Sequence, residues 1–379
     1  VFLAAGQRLL GVEKTLIRTM NDMADSSCIN LGLGELPFPT PRPILEHVRA
    51  HLESWKLGYT PNEGLPELRE RIAAKSGLRG AAERVCVTVG AQEALFAVLM
   101  VLAGPGDEVL VPDPGYPAYA SIVKLTGATP RTYPLEREAG FHLEAKSIEM
   151  AVGPACRAVV LNSPQNPSGA VHSAEEVGRL AAFCRRRNLA LISDEVYAEI
   201  TYGIGREPDG GRDPETIVIN SLSKAYAMTG WRLGWCIVPS TLIKPLAAFH
   251  QLCVMSAATL SQRAALFALG GGADAEKTAN LAELARRRQL IMDALRRHTD
   301  LSFIEPEGAF YVLVDVRKAL GRFGDSLTLA TELLKKEKVV TIPGAAFGER
   351  GEGLLRLSFA AGREEIEEGV RRLGRFLSF

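Results

Sequence analysis

Two serines, a lysine and an arginine share one short stretch, Ser221-Leu222-Ser223-Lys224-Ala225-Tyr226-Ala227-Met228-Thr229-Gly230-Trp231-Arg232. The apolar run Thr216-Ile217-Val218-Ile219-Asn220 precedes it and reads as a buried strand of a parallel sheet. Loops at the C-terminal ends of such strands are where open α/β sheets bind ligands. Hydroxyls and guanidinium groups hold phosphate. An amine in a partly desolvated pocket sheds its charge more readily and becomes a nucleophile. Phosphate ligands around such an amine suit a phosphorylated aldehyde carried on Lys224 as a Schiff base. The plain alternative is a solvated lysine near a turn.

Other strand-end loops carry residues of matching chemistry. Val85–Val89 leads into Gly90-Ala91-Gln92, a strand, tight turn and helix start whose free N–H groups and dipole favour an anion. Taken alone, that is also an ordinary structural turn. Tyr116, in Asp113-Pro114-Gly115-Tyr116-Pro117, could stack on a planar ligand or pack on the surface. Asn166 sits in Asn162-Ser163-Pro164-Gln165-Asn166-Pro167-Ser168-Gly169, a loop that two prolines stiffen. In Leu191-Ile192-Ser193-Asp194-Glu195-Val196-Tyr197 an acid ends a buried strand. It must pair with something or cap a following helix. Arg356 interrupts the apolar run Leu354–Phe359, and a buried arginine also needs a partner.

In this order, over nearly the whole chain, the segments resemble the class I/II aminotransferases, fold-type I enzymes dependent on pyridoxal 5′-phosphate. The resemblance implies that Lys224 holds the cofactor and then acts as general base. Gly90, Ala91, Gln92, Ser221, Ser223 and Arg232 would hold its phosphate. Tyr59, in Leu57-Gly58-Tyr59-Thr60-Pro61, would reach the phosphate of the neighbouring subunit of a homodimer. Tyr116 would stack on the ring, Asn166 and Tyr197 would donate to its phenolate oxygen, and Asp194 would pair with its ring N–H. Arg356 would grip the substrate α-carboxylate, with Gly34 and Asn166 beside it. The family often follows that Gly-Glu with Pro-Asp, where this chain has Leu36-Pro37. Asp113–Pro114 and Asn166–Pro167 are candidate cis bonds on the same ground.

The activity implied is transfer of an amino group between an L-amino acid and a 2-oxo acid by ping-pong turnover. A C–S β-lyase on the same cofactor is the nearest alternative, although those enzymes often carry His where this chain has Tyr197-Ala198. A non-catalytic cofactor-binding regulator is a further one, but few residues precede Leu31 to form a DNA-binding domain. A nucleotide-binding dehydrogenase lacks its GxGxxG turn here. Gln92 stands where some dicarboxylate-specific relatives place a lysine, which favours neutral or aromatic donors.

Bulk properties agree. The chain has 379 residues, enough for two domains. Lys+Arg 44 balances Asp+Glu 44, so no basic field favours nucleic acid. Apolar runs are too short for a bilayer, and the start of the chain does not read as a signal peptide. The six cysteines are scattered without a CxxC pair and the six histidines without metal spacing. That argues against a metal site or disulfide framework and for the cytoplasm. Residues 7–25 read as a helix and Leu31–Pro43 as a loop. Helical patterns alternate with apolar runs at Val85–Val89, Glu108–Val111, Ala158–Leu161, Ala190–Ser193, Ile217–Ile219 and Gly234–Val238. Residues 241–298 read as long helices broken at Gly270-Gly271-Gly272. Strands at Phe310–Val314, Val339–Thr341 and Leu354–Ser358, and a helix from about Arg363, complete a smaller unit. The expected fold is therefore α/β, of fold type I. A large cofactor-binding domain (40–275) has a mostly parallel seven-stranded sheet. A smaller α+β domain is made of 1–39 and 276–379.

Overall fold

The computed structural model describes residue 9 and residues 14–78, 80–203 and 213–378. Thirteen strands are found among them: β1 (Ile29–Asn30), β2 (Val85–Thr88), β3 (Glu108–Asp113), β4 (Thr129–Pro134), β5 (Cys156–Asn162), β6 (Ala190–Asp194), β7 (Ile217–Ser221), β8 (Gly234–Ile237), β9 (Phe303–Ile304), β10 (Tyr311–Asp315), β11 (Val339–Val340), β12 (Ile342–Pro343) and β13 (Leu354–Ser358).

A seven-stranded sheet runs in the order β2-β8-β7-β6-β5-β3-β4. Its pairs are parallel except that β8 runs antiparallel to both β2 and β7. Helices cover both faces. Val109, Val111, Val160 and Ile192 pack on one side with Leu95 and Val98 of helix Ala91–Leu102. Leu110, Val159 and Leu191 pack on the other with Leu180 and Phe183 of helix Ala174–Arg186. Burial on both faces is why these strands are unbroken apolar runs rather than alternating ones. β4 has no such run and was not expected. It lies at the sheet edge, half of its residues are exposed and one is buried, and an edge tolerates Pro130 and Pro134.

A four-stranded antiparallel sheet, β12-β13-β10-β9, forms a second layer. Its core includes residues of the helices Asp274–His298, Ser326–Glu337 and Arg363–Leu377. From the N-terminal segment, β1 pairs parallel with β11, and Met20 and Leu31 enter the same core. The expected helix over 7–25 is shorter within the described residues: it spans Leu16–Asp22, with the Thr15 side chain accepting the Arg18 N–H. Its earlier part lies outside the described residues, apart from residue 9. The glycine break falls as expected, with Gly271 at φ 95° between Thr259–Phe267 and Asp274–His298. Asp113–Pro114 and Asn166–Pro167 are cis, and so is Ser163–Pro164. No described helix is long and apolar enough to cross a membrane.

One close approach matters for the site. A Cβ on Gly234 would lie 2.5 Å from the Ala91 nitrogen and 2.6 Å from the Gly90 carbonyl carbon. The backbone must therefore shift to admit any side chain. Gly234→Ala should cost about 1–3 kcal/mol by overpacking, read as a lowered melting temperature. An unchanged melt would show that the contact has slack.

Candidate active site

The C-terminal ends of β5, β6 and β7, the turn after β2 and the strands β10 and β13 meet around one cavity of about 270 Å³. Of the residues singled out in the sequence, all but Gly90 and Tyr59 line it. Gly90 stands directly behind: at φ 83°, its missing Cβ would sit 2.8 Å from Arg232 Nη2. Tyr59 lies elsewhere and is 87% exposed.

At one end of the cavity helix Ala91–Leu102 begins, with Gly90 as its cap residue. Its first N–H groups have no acceptor within the helix. Arg232 reaches over this turn while its Nη1 donates to the Thr229 carbonyl at 3.1 Å. Arg232 itself is in the left-handed region at φ 50°, the conformation that turns the chain back into β8. Ser221 and Ser223 are buried alongside, and the Ser223 N–H donates to Ser221 Oγ at 3.3 Å. The Tyr116 hydroxyl donates to Gln92 Oε1 at 3.2 Å. Its ring meets Tyr119 edge-on, centroids 5.5 Å apart.

Asp194 is 7% exposed. Tyr119 donates to its Oδ2 at 2.7 Å and the Val196 N–H to its Oδ1 at 3.3 Å. A turn follows it, not a helix, so it caps nothing. No ion pair involves it among the described residues. Burial pushes its pKa up to about 6, against the pull of the Tyr119 and Val196 bonds.

Lys224 is half-buried. Burial pulls its amine down to about 8, and its Nζ donates to the Gly34 carbonyl at 2.6 Å. Gly34 thus engages the site through its carbonyl. The Tyr197 and Phe310 rings flank the amine, both 5.9 Å from Nζ.

Arg356 is 1% exposed. Its Nη1 donates to Asn166 Oδ1 at 3.0 Å and its Nη2 to the Gly32 carbonyl at 3.1 Å. Its Nε is buried without a partner among the described residues. The guanidinium lies 4.1 Å from the Tyr311 ring centroid and 5.0 Å from that of Phe347. Burial lowers its pKa, yet arginine stays charged. No described carboxylate pairs with it.

Sequence reasoning gave no role to Tyr119, Asn162 or Tyr311. Tyr119 follows Tyr116 by three residues at a helix start, so the two share a side; that spacing was the available signal. Asn162 links two loops, donating to the Asp194 carbonyl at 3.0 Å and accepting the Asn166 N–H at 2.9 Å. The Tyr311 hydroxyl lies 3.0 Å from that of Tyr197. No group of three or more potential metal ligands is found among the described residues.

The family description "Aminotransferase class I and II" matches residues 26–373. The chain belongs to this family. It is 33% identical to an aspartate aminotransferase of Pyrococcus horikoshii, over 98% of this chain and 96% of that one. It is likewise 33% identical to aromatic-amino-acid aminotransferase 2 of Thermococcus litoralis, over 99% and 98%. The solved aspartate aminotransferase of Thermus thermophilus with maleate superposes at a TM-score of 0.93 with 32% identity, covering 99% of this chain and 100% of that one. The protein is an aminotransferase, and its cofactor is pyridoxal 5′-phosphate.

The residues present fit that group. A turn with Gly90 at φ 83°, a helix N-terminus, two serines and Arg232 form a cradle suited to an anion. Lys224 supplies an amine with a lowered pKa, and Asp194 a carboxylate without a cation.

The Asp194 shift has a testable sign. Between pH of about 4 and about 6 the unfolded carboxyl is ionised, while the folded one keeps its proton. The unfolded chain then binds fewer protons, so apoprotein stability falls as pH rises through that window, by up to about 3 kcal/mol. Asp194→Asn removes this titration. Its apoprotein should be more stable than the wild type at pH of about 8, with the gap shrinking toward pH of about 4. Urea melts at both pH values check this, and a pH-independent gap would refute it.

Proposed function

We propose that the amino donor binds with its α-carboxylate on Arg356 and that Lys224 moves the α-proton. One observation carries this reading: Arg356 is a fully buried cation facing the cavity, with no carboxylate partner among the described residues. Such a charge keeps its desolvation cost until an anion arrives, and a planar guanidinium suits a carboxylate bidentately. Bound pyridoxal phosphate serves as the electron sink that makes the α-proton removable.

Lys224 can take and return that proton because burial leaves part of its amine neutral near pH of about 7–8. Asn166 offers Oδ1 to Arg356, so its Nδ2 is left to donate to the cofactor's phenolate oxygen beside the Tyr197 hydroxyl. Asp194 would keep a proton at the ring nitrogen, and Tyr116 would stack on the ring. Gly90, Ala91, Gln92, Ser221, Ser223 and Arg232 would hold the phosphate. The same groups serve the 2-oxo acid in the second half of the ping-pong cycle.

We infer a neutral or aromatic donor. The relatives carry names for both acidic and aromatic donors, so the choice rests on the cavity. Lys224, Arg232 and Arg356 are the cations that line it among the described residues, and each already has a role. Gln92 adds none. We further propose a homodimer in which Tyr59 reaches the neighbour's phosphate. In support, Tyr59 and Leu252 are both 87% exposed, and Thr259 Oγ1 donates to the Gly58 carbonyl at 2.6 Å, tying the Tyr59 loop to the helix that follows Met255. The β1–β11 pairing supports assigning 1–39 with 276–379 to a smaller domain, and 40–275 to the cofactor-binding one. Six free cysteines suit the cytoplasm.

A panel of amino donors with several 2-oxo acids tests the donor class. Aromatic or neutral donors should give the highest kcat/KM; the best value with aspartate or glutamate would end this reading. The same panel run without an acceptor separates β-elimination, which needs none. Arg356→Lys keeps charge but loses the bidentate grip. It should lower kcat/KM for the donor about 10- to 100-fold, chiefly through KM, given about 1.5–3 kcal/mol for a charged hydrogen bond. An unaltered KM would remove Arg356 from the carboxylate site.

A further inference from the structure

His250 has no exposed surface. It lies in helix Ser240–Val254, whose Leu246 packs in the same core as Leu95 and Val98 of helix Ala91–Leu102. Its Nδ1 is 3.0 Å from Glu93 Oε1, and its Nε2 is buried without a partner among the described residues. The ring's polar edge therefore serves one bond. Glu93 occupies the first turn of helix Ala91–Leu102, and its Oε2 accepts the Val89 N–H at 3.0 Å. Val89 immediately precedes Gly90, whose carbonyl also accepts from Thr88 Oγ1 at 3.0 Å. The turn is thus braced from both sides.

A carboxylate in a first helical turn suits the helix dipole. It also has the same sign as an anion bound at that N-terminus. We propose that Glu93, anchored by His250, is a positioning residue for the cofactor's phosphate: the pair fixes the Val89–Gly90 turn and turns the Glu93 charge away from the anion cradle. This rests on reading Gly90, Ala91 and Gln92 as phosphate ligands. Burial pulls the His250 pKa down, but the Glu93 hydrogen bond and the nearby carboxylates of Glu93 and Glu63 hold it above the ordinary value. The ring therefore keeps its hold on the Glu93 charge.

The test compares dissociation constants of apoprotein for pyridoxal 5′-phosphate and for pyridoxal, which lacks the phosphate. His250→Leu should weaken the phosphorylated form about tenfold and pyridoxal less than about twofold, since only the former meets the freed charge and loosened turn. Adding Glu93→Gln removes the charge but keeps an acceptor for Val89, and should restore affinity to within about threefold. Glu93→Ala alone removes the acceptor and should weaken only the phosphorylated form. Equal weakening of both vitamers, unchanged affinity in His250→Leu and Glu93→Ala, or failure of the rescue would overturn the proposal. Should His250→Leu not fold, Glu93→Ala against Glu93→Gln decides: the alanine variant must lose phosphate-dependent affinity and the glutamine variant must not. Arg232→Lys serves as the control. If it shifts the ratio while the Glu93 variants do not, only the pair's role falls. If it too leaves the ratio unchanged, the phosphate reading falls with it.

Discussion

Asp194 and Arg356, two buried charged groups that face the cavity without an ion pair among the described residues, govern the site. A carboxylate removed from water costs free energy unless hydrogen bonds replace its hydration. Tyr119 and Val196 replace only part of it, and the pKa rises accordingly. Arg356 cannot escape by losing a proton. It rests on a carbonyl, an amide oxygen and a ring face. The two do not satisfy each other, because Asp194 ends a strand of the seven-stranded sheet and Arg356 sits within the four-stranded one. What can satisfy both is a ligand pair with an N–H at one end and a carboxylate at the other. Such a requirement is a stronger statement about function than the cavity's size.

The fold delivers this arrangement at the cost of one reversed strand. Parallel strands bring the C-terminal ends of β5, β6 and β7 to one edge. β8 runs the other way, so its first residue, Gly234, arrives at that edge opposite Ser221 and Thr88. Only a glycine lets the Gly90 turn close on it, and Arg232, two residues earlier, is carried over the turn. Outside the cavity, Lys75 and Lys277 each bond both Glu199 and the Tyr226 hydroxyl. Glu199 lies two residues past Tyr197 and Tyr226 two past Lys224. The loops bearing Lys224 and Tyr197 are therefore tied to each other, and to the helices Pro66–Lys75 and Asp274–His298.

The central strands were legible because double-sided burial writes itself as an apolar run, and polar residues at the ends of such runs stand out. Lys224, Asp194 and Asn166 were visible for that reason. β4 was not, since an edge strand buries little and Tyr133 alone of its residues is fully covered. Tyr119 and Tyr311 look like core aromatics in the sequence. Their importance lies in hydroxyl partners 75 and 114 residues away in the chain, which no local pattern encodes. The pairing of Ile29 with Val339 is hidden for the same reason. Arg356 was legible as an anomaly, a charge inside an apolar strand, although its neighbours Gly32 and Asn166 as its direct acceptors were not.

Asn166 joins the two halves of the site. Arg356 holds its Oδ1, its backbone N–H is held by Asn162, and Asn162 in turn bonds the carbonyl of Asp194. Turning the Asn166 amide over would set its NH₂ against guanidinium N–H groups, donor against donor. The guanidinium therefore fixes which end of the amide faces the cavity. On the proposed reading, the cation that takes the substrate's carboxylate also orients a donor for the cofactor, so the two binding events would share one preorganised element. Neither would have to reorder it, because the hydrogen-bonding geometry around Asn166 is set by the folded chain itself.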